Sequence, residues 1–375
     1  MTATVLTWLP DKPSPLLTSA LGRLARAEGV AHIAVMPDAH VAEEVCVGTV
    51  TATHDRLLPA AVGGDIGCGM ATLRLGVTAD RLADRTRAAR VLSGLARAVP
   101  PLLRRSSEAR PLPDELLEQP LSAPSLESAK SRDARLSFAT LGRGNHFLEI
   151  QRDEEYQLWL VVHTGSRSMG PMIRDHHESQ APRGPEGLAW LTADSDAGQA
   201  YLQDATWAAR FAHLNRAALL EAAIPVLADV LSATPDRATL ITCDHNHVRR
   251  ETHAPGQLWV HRKGAMFLPA GETGILPGSM GTSTFHVEGR GNPDALCSSA
   301  HGAGRCLSRG DARRKIKPRA LLEEVAGVWF DHRLAEGLCE EAPSAYKDIG
   351  AVLRAGRDLV RVVRRLEPVL VYKAT

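Results

Sequence analysis

The stretch "AAVGGDIGCGM", Ala60–Met70, sets Asp65 and Cys68 three residues apart among four glycines, directly after an apolar run that ends at Val62. Glycine lets a backbone take positive φ and come close to a ligand. Asp and Cys are both anionic ligands for transition metals. By itself an Asp-x-x-Cys pair says little, because an isolated cysteine is more often a small buried hydrophobe. Its meaning depends on partners elsewhere in the chain.

Four histidines occupy similar settings. His146 follows two glycines in "LGRGNHFLEI", His163 closes the apolar "YQLWLVVH" (156–163), and His245 follows an apolar run in "CDHNH". His301 sits in "SSAHGAGR". Strand ends are where side chains from distant segments converge into a pocket. Taken singly, each histidine reads as a satisfied structural residue. Taken together, Asp65, Cys68, His146, His163 and His245 supply oxygen, sulfur and nitrogen donors for one or two transition metals, with the single thiolate able to bridge. That mix of hard and soft donors suits Mn²⁺, Zn²⁺ or Co²⁺ better than Mg²⁺. His301 differs, lying beside two glycines and Arg305, with "PGSMGTST" about twenty residues earlier. Glycine-rich turns expose N–H groups that cradle phosphates, and arginine clamps phosphate oxygens. An imidazole there reads as a nucleophile toward phosphorus.

Working outward, 375 residues with 44% hydrophobic and 23% charged content describe an ordinary globular chain. The N-terminus "MTATVLTWLPDKPS" lacks a basic region followed by an apolar core, so no signal peptide is expected and the cytoplasm is the default. The six cysteines form no CxxC pair and read as reduced thiols. The spacing predicts helices over 16–27, 79–98, 195–232 with a break at Pro225, 319–336 and 345–365. Strands are expected at 32–36, 45–51, 156–163, 238–247 and 257–267, the last three buried. Residues 99–129, rich in Pro, Ser and Glu, read as a mobile loop or surface excursion. Helices and strands mix without a βαβ rhythm, so the expected class is an irregular α+β fold in one domain spanning 1–375, its mixed sheets and flanking helices surrounding a metal and nucleotide cleft.

Nine segments, in this order, resemble the RtcB family of GTP-dependent RNA ligases: "MPDAH" (36–40), "PAAVGGDIGCGM" (59–70), "LGRGNHFLEI" (141–150), "HTGSR" (163–167), "HNH" (245–247), "HRKGA" (261–265), "LPGSMG" (276–281), "SAHGAGR" (299–305) and "EAPSAYKDI" (341–349). The resemblance implies two Mn²⁺ ions on Asp65, Cys68, His146, His163 and His245, with Cys68 bridging. It makes His301 the nucleophile that takes GMP from GTP, with Arg305 and Arg167 as further catalytic residues, Arg167 at an RNA phosphate. Asn145, Asn246, Ser279 and Arg305 would hold phosphates, and Phe147, Glu149, Thr284, Tyr346 and Lys373 would complete the GTP site. The substrate implied is RNA with broken ends, tRNA or rRNA, and the implied helper is an archease-like activating protein. A monomer away from membranes is expected.

The chain departs from the family pattern at Arg143, usually Gly, at Thr164, usually Ser, and at His247, usually aromatic. The terminal lysine is followed by "AT", and the region from about 75 to 135 is shorter than in many relatives. These changes bear on RNA choice, as in a shorter paralogue dedicated to one broken RNA. Lys and Arg (44) nearly balance Asp and Glu (43), so RNA would need a local basic patch. Arg104–Arg105, Arg249–Arg250, Arg364–Arg365 and above all "RRKIKPR" (313–319) are the candidates. Two rival readings use the same donors: a two-metal phosphoesterase, which leaves His301 and Glu149 idle, and an inactive relative that binds RNA or metal.

Overall fold

The run "QLWLVVHT" has no polar face, and it becomes strand β7 (Gln157–Thr164), buried along its length inside a seven-stranded sheet. A computed structural model describes residues 3–254 and 256–374 of the chain. In the large sheet the order is β13 (Thr273–Leu276), β14 (Thr284–Gly289), β16 (Val360–Tyr372), β6 (Phe147–Arg152), β7, β5 (Gly69–Thr78) and β9 (Asp236–Asp244). Every neighbouring pair is antiparallel. The sheet curls. Ile275 of β13 meets Ile241 and Cys243 of β9, and Met70, Phe147, Trp159, Val161 and Leu366 fill the space enclosed.

A second, five-stranded sheet runs β1 (Thr4–Thr7), β2 (Val30–His40), β3 (Val47–Thr53), β11 (Gly256–Lys263) and β10 (Asn246–His253). Here β1 is parallel to β2 and the other pairs are antiparallel. Two short ribbons complete the strands: β12 (Ala265–Phe267) with β15 (Ser298–Ala300), and β4 (Arg56–Leu57) with β8 (Leu191–Thr192). Mixed helix and sheet without a βαβ rhythm is the α+β class expected.

A 36-residue helix, Asp196–Leu231, covers the outer face of the large sheet. Its Leu219, Leu220, Ala223, Leu227 and Leu231 pack on Leu148, Ile150, Leu160 and Val162 and on helix Arg85–Ala98. The break expected at Pro225 does not occur. The proline is on the solvent face, so the ring and the carbonyl it frees meet water, while the buried leucines hold the helix together.

Three further expectations are corrected. The segment 345–365 is helical only over Ile349–Ala355, and Val360–Tyr372 is a strand. Its valines stack between two strands, and the register shift at Pro368–Leu370 absorbs the proline that a regular ladder would reject. The segment 236–244 is an edge strand with Leu240 47% exposed, not a buried one, because among the described residues β5 is its one strand partner. Helix 319–336 reduces to Pro318–Glu324 and Ala335–Leu338. The excursion 99–129 contains short helices, and Leu112, Leu116, Leu121 and Leu126 enter the core beside Trp207 and Phe211 of the long helix.

Candidate active site

Antiparallel alternation brings the starts of β5 and β6 and the ends of β7 and β9 to one edge of the large sheet, and each carries a donor. Cys68 precedes Gly69, His146 precedes Phe147, His163 lies opposite Met70, and His245 follows Asp244. The loop before β5 needs its glycines. Gly67 sits at φ +71 with a would-be Cβ 2.6 Å from the Ala209 Cα of the long helix. A Cβ on Gly165 would fall onto the Asp65 carboxylate.

The five donors meet. Cys68 Sγ is 3.5 Å from His146 Nε2 and 3.3 Å from His163 Nε2. His146 Nε2 is 2.9 Å from Asp65 Oδ2, and the Nε2 atoms of His163 and His245 are 3.4 Å apart. They form two triads, Asp65–Cys68–His146 and Cys68–His163–His245, that share the thiol. His163 is oriented by the Asn145 carbonyl, 2.9 Å from Nδ1. Burial holds the His163 and His245 imidazoles well below their ordinary pKa, so they stay neutral with lone pairs available. Burial lifts the Asp65 carboxyl, but His146 and Arg167 outweigh it and bring it down to about 2. Burial and the neighbouring Asp65 push the Cys68 thiol well above its usual value. A thiolate there requires a compensating cation, which a divalent metal would supply. One carboxylate, one shared sulfur and three neutral imidazoles fit such ions in number and softness.

His301 follows β15 and lies against this centre, its ring 4.8 Å from that of His245. Its Nδ1 is 2.6 Å from Oδ2 of the fully buried Asp38, a polar contact angled away from hydrogen-bond geometry. The same oxygen accepts the backbone N–H groups of His301 and Gly302, at 3.1 and 3.2 Å. The Asp38 carboxylate thus faces the Nδ1 side of the ring, and Nε2 makes no hydrogen bond among the described residues. Sequence reasoning quoted "MPDAH" without giving Asp38 a role.

Beyond His301 opens a cavity of about 250 Å³, lined by Asn145, Phe147, Glu149, Ser279, Thr284, Arg305, Tyr346 and Lys373 among others. These are expected nucleotide-site residues from five separate segments. Glu149 is buried with its carboxyl raised to about 7, burial outweighing the opposing Gln151 amide and Lys373. Glu341, the first residue of "EAPSAYKDI" and another missed position, ties the wall together. It accepts from Lys373 Nζ at 3.0 Å and from the Tyr346 hydroxyl at 2.7 Å, and Arg305 Nη1 lies 3.4 Å away.

Two expected residues stand elsewhere. Asn246 is outside the cavity lining, and its amide bridges backbone, donating to Asp65 O at 2.9 Å and accepting from Gly264 N–H at 2.7 Å. Arg167, at φ +56, has its guanidinium Nη1 2.9 Å from His146 Nδ1. The departures from the family pattern are accommodated differently. The Thr164 hydroxyl donates to the Leu141 carbonyl at 2.7 Å, a bond serine would make equally. His247 is buried, 3.3 Å from both Asp244 and the Arg262 guanidinium. Arg143 is exposed.

Sequence reading also missed Asn215 and Arg216, two polar residues on an otherwise apolar stretch of the long helix. Arg216 is 3% exposed and donates to Gly67 O at 2.7 Å and Thr164 O at 3.1 Å, joining the loop that bears Cys68 to the one that follows His163. Asn215 donates to Thr140 O at 3.1 Å and Thr164 Oγ1 at 3.2 Å. The one signal in the chain was a polar pair inside an apolar run, and its burial is a property of the fold.

A two-triad donor cluster that could hold metal, with an imidazole beside it at the mouth of a cavity, sits on an α+β frame. The family model described as "tRNA-splicing ligase RtcB" matches residues 20–125 and 116–374, and the chain belongs to the RtcB family. It is 35% identical to the RNA-splicing ligase RtcB of Escherichia coli K12, over 91% of this chain and 90% of that one. It is 33% identical to the RNA-splicing ligase RtcB of Mycobacterium tuberculosis, over 89% and 94%, and 29% identical to the RNA-splicing ligase RtcB2 of an Escherichia coli strain, over 96% and 92%. Among the described residues no helix is long and apolar enough to cross a membrane.

Proposed function

We propose that this chain is a GTP-dependent RNA ligase joining a 3′-phosphate or 2′,3′-cyclic phosphate end to a 5′-hydroxyl end. The observation that carries the reading is His301, its Nδ1 against Asp38, standing between the shared-thiol donor cluster and the cavity. Two Mn²⁺ ions held by Asp65, Cys68, His146, His163 and His245 would supply Lewis acidity and charge neutralisation.

The protein's own groups then act in order. The His301 Nε2 lone pair attacks the GTP α-phosphorus, the bond to the β-phosphate oxygen breaks, and pyrophosphate leaves. Arg305, Asn145 and Ser279 offset charge on the transferring group, with Asn246 steadying the Asp65 loop. Glu149, Tyr346 and Lys373 hold the base, and Phe147 and Thr284 complete the site. A terminal 3′-phosphate oxygen of RNA attacks the histidine-bound GMP, releasing His301 and leaving an activated RNA end. The 5′-hydroxyl of the second strand then attacks the RNA phosphorus, its proton is lost, and GMP departs. A cyclic end is first opened by water. Arg167 contacts the RNA phosphate at the His146 side. Dividing one hard displacement into three easier ones is the gain from a covalent intermediate. The substrate is a broken tRNA or rRNA, met by a cytoplasmic monomer that an archease-like protein activates.

The test is incubation with Mn²⁺ and GTP labelled at the α-phosphate. The expected product is protein carrying acid-labile, alkali-stable label, absent from His301→Ala. Unlabelled protein that hydrolyses phosphoesters would show a two-metal phosphoesterase instead.

A further inference from the structure

A net charge of +1 gives no long-range field to draw in a polyanion, so RNA needs a local basic track to reach this site. The run at 313–319 is largely neutralised in the folded chain. Arg313 pairs with Glu340, Arg314 with Asp311 and Arg319 with Glu323. Arg249 pairs with Asp244 and Arg365 with Glu367. By contrast, Arg105, Arg110 and Arg143 are exposed and make no ion pair among the described residues. Glu108 is the one acid on the same turn, Ser106–Glu108.

Backbone bonding brings the start of the excursion, up to Arg104, against the loop that bears Arg143, and Arg110 is near enough to Arg104 to act on its charge. Leu141 N–H donates to Pro100 O at 2.9 Å, Gly142 N–H to Pro101 O at 2.8 Å, and the Arg104 guanidinium to Ala139 O at 2.9 Å. The first part of the excursion is thereby zipped to the loop that ends in Asn145 and His146. Arg143 is presented by glycines at φ +107 and +69 on either side. A Cβ on Gly142 would strike His146 and Arg167, and one on Gly144 would strike Arg309. The loop is thus set between a metal-ligand candidate and an arginine of the cavity wall, and a Cβ at either flank would be strained at that φ and would force those side chains to move. Asn145 and Arg309 line the cavity and Arg143 does not. Its charge is therefore offered outside the nucleotide site, where the RNA end must lie.

We propose that Arg143, with Arg105 and Arg110 on the excursion, forms the track that holds the single-stranded end of the substrate RNA through its phosphates. This deepens the ligase reading above and rests on it. A short single-stranded RNA with a 3′-phosphate is the probe, and its affinity is measured against salt concentration. Each phosphate contact on a single strand contributes about 0.7 to the slope of log K against log salt. Replacing Arg105, Arg110 and Arg143 by Gln together should weaken binding by roughly tenfold or more and lower that slope by about 2. The paired set Arg314→Gln with Arg319→Gln should leave both unchanged, and Arg143→Lys should keep the slope. A triple variant matching the unsubstituted protein in affinity and slope overturns the proposal, as does a rise in KM for GTP with RNA binding intact. GTP labelling of the unsubstituted protein judges the ligase reading separately. RNA binding that depends on the three arginines in a protein that takes no label would sustain the track and sink the ligase.

Discussion

At the scale of single residues, the site works by setting neutral donors against fixed charges. Asp38 is the residue on which His301 depends, because one carboxylate oxygen binds two backbone N–H groups and also faces Nδ1. Asp38→Asn keeps an acceptor for the backbone but removes the charge that would stabilise a cationic ring. The expected result is a fall of roughly 10²–10⁴-fold in the rate of label transfer from GTP, with metal content unchanged. Glu149 offers a test by pH. Its folded-state carboxyl titrates near 7, against 4.5 for the ordinary side chain. Between those values the folded state holds a proton that the unfolded state has lost, so this group's contribution to stability falls as pH rises from about 4.5 to 7 and is flat above. The full cost is about 3 kcal/mol. In Glu149→Gln, urea midpoints compared at pH 5 and pH 8 should lose that part of the decline. An identical pH profile would mean that the carboxylate is not buried as described.

At the scale of elements, the long helix acts as a clamp as well as a wall. Arg216 reaches the Gly67 and Thr164 carbonyls from beneath, so Arg216→Met should loosen both donor loops. By analogy with groups that orient metal ligands, divalent-ion affinity should drop about 10–100-fold, measured by calorimetry, with Arg216→Lys recovering part of it. The excursion is anchored through Leu116, which is fully buried and whose carbonyl accepts the Trp207 indole N–H at 3.0 Å. Leu116→Ala should cost about 2–5 kcal/mol in chemical denaturation. Elements were legible where one periodicity dominated, as in Gln157–Thr164 and Asp196–Leu231. They were misread where the same residues satisfy two periods. "DLVRVVRRLEPVLVY" carries apolar residues at helical spacing, yet its β-branched valines find strands on both sides. Only the neighbours decide that case.

At the scale of the whole molecule, one sheet edge gathers donors that lie up to 180 residues apart, since Asn246 bonds across 181 positions to Asp65 O. Ions bound there would cross-link strands β5, β6, β7 and β9, so their binding free energy would add to stability. With Mn²⁺ at about 100 times its Kd, unfolding should cost about 2.7 kcal/mol more, seen as a raised melting temperature that chelation reverses. Cys68→Ala, which removes the atom shared by both triads, should abolish the rise. A metal-independent melt would count against the donor set.

The donor residues, the histidine beside Arg305 and the α+β class were readable from the chain, because glycine-flanked Asp, Cys and His at strand ends and mixed periodicities are local properties. The pairing of Asp38 with His301, the tie from Glu341 to Lys373 and Tyr346, the clamp by Arg216 and the neutralisation of the 313–319 run were decided only in three dimensions. Each is a contact between segments that the sequence keeps apart, and burial or charge pairing depends on which surfaces the curled sheet and the long helix bring face to face.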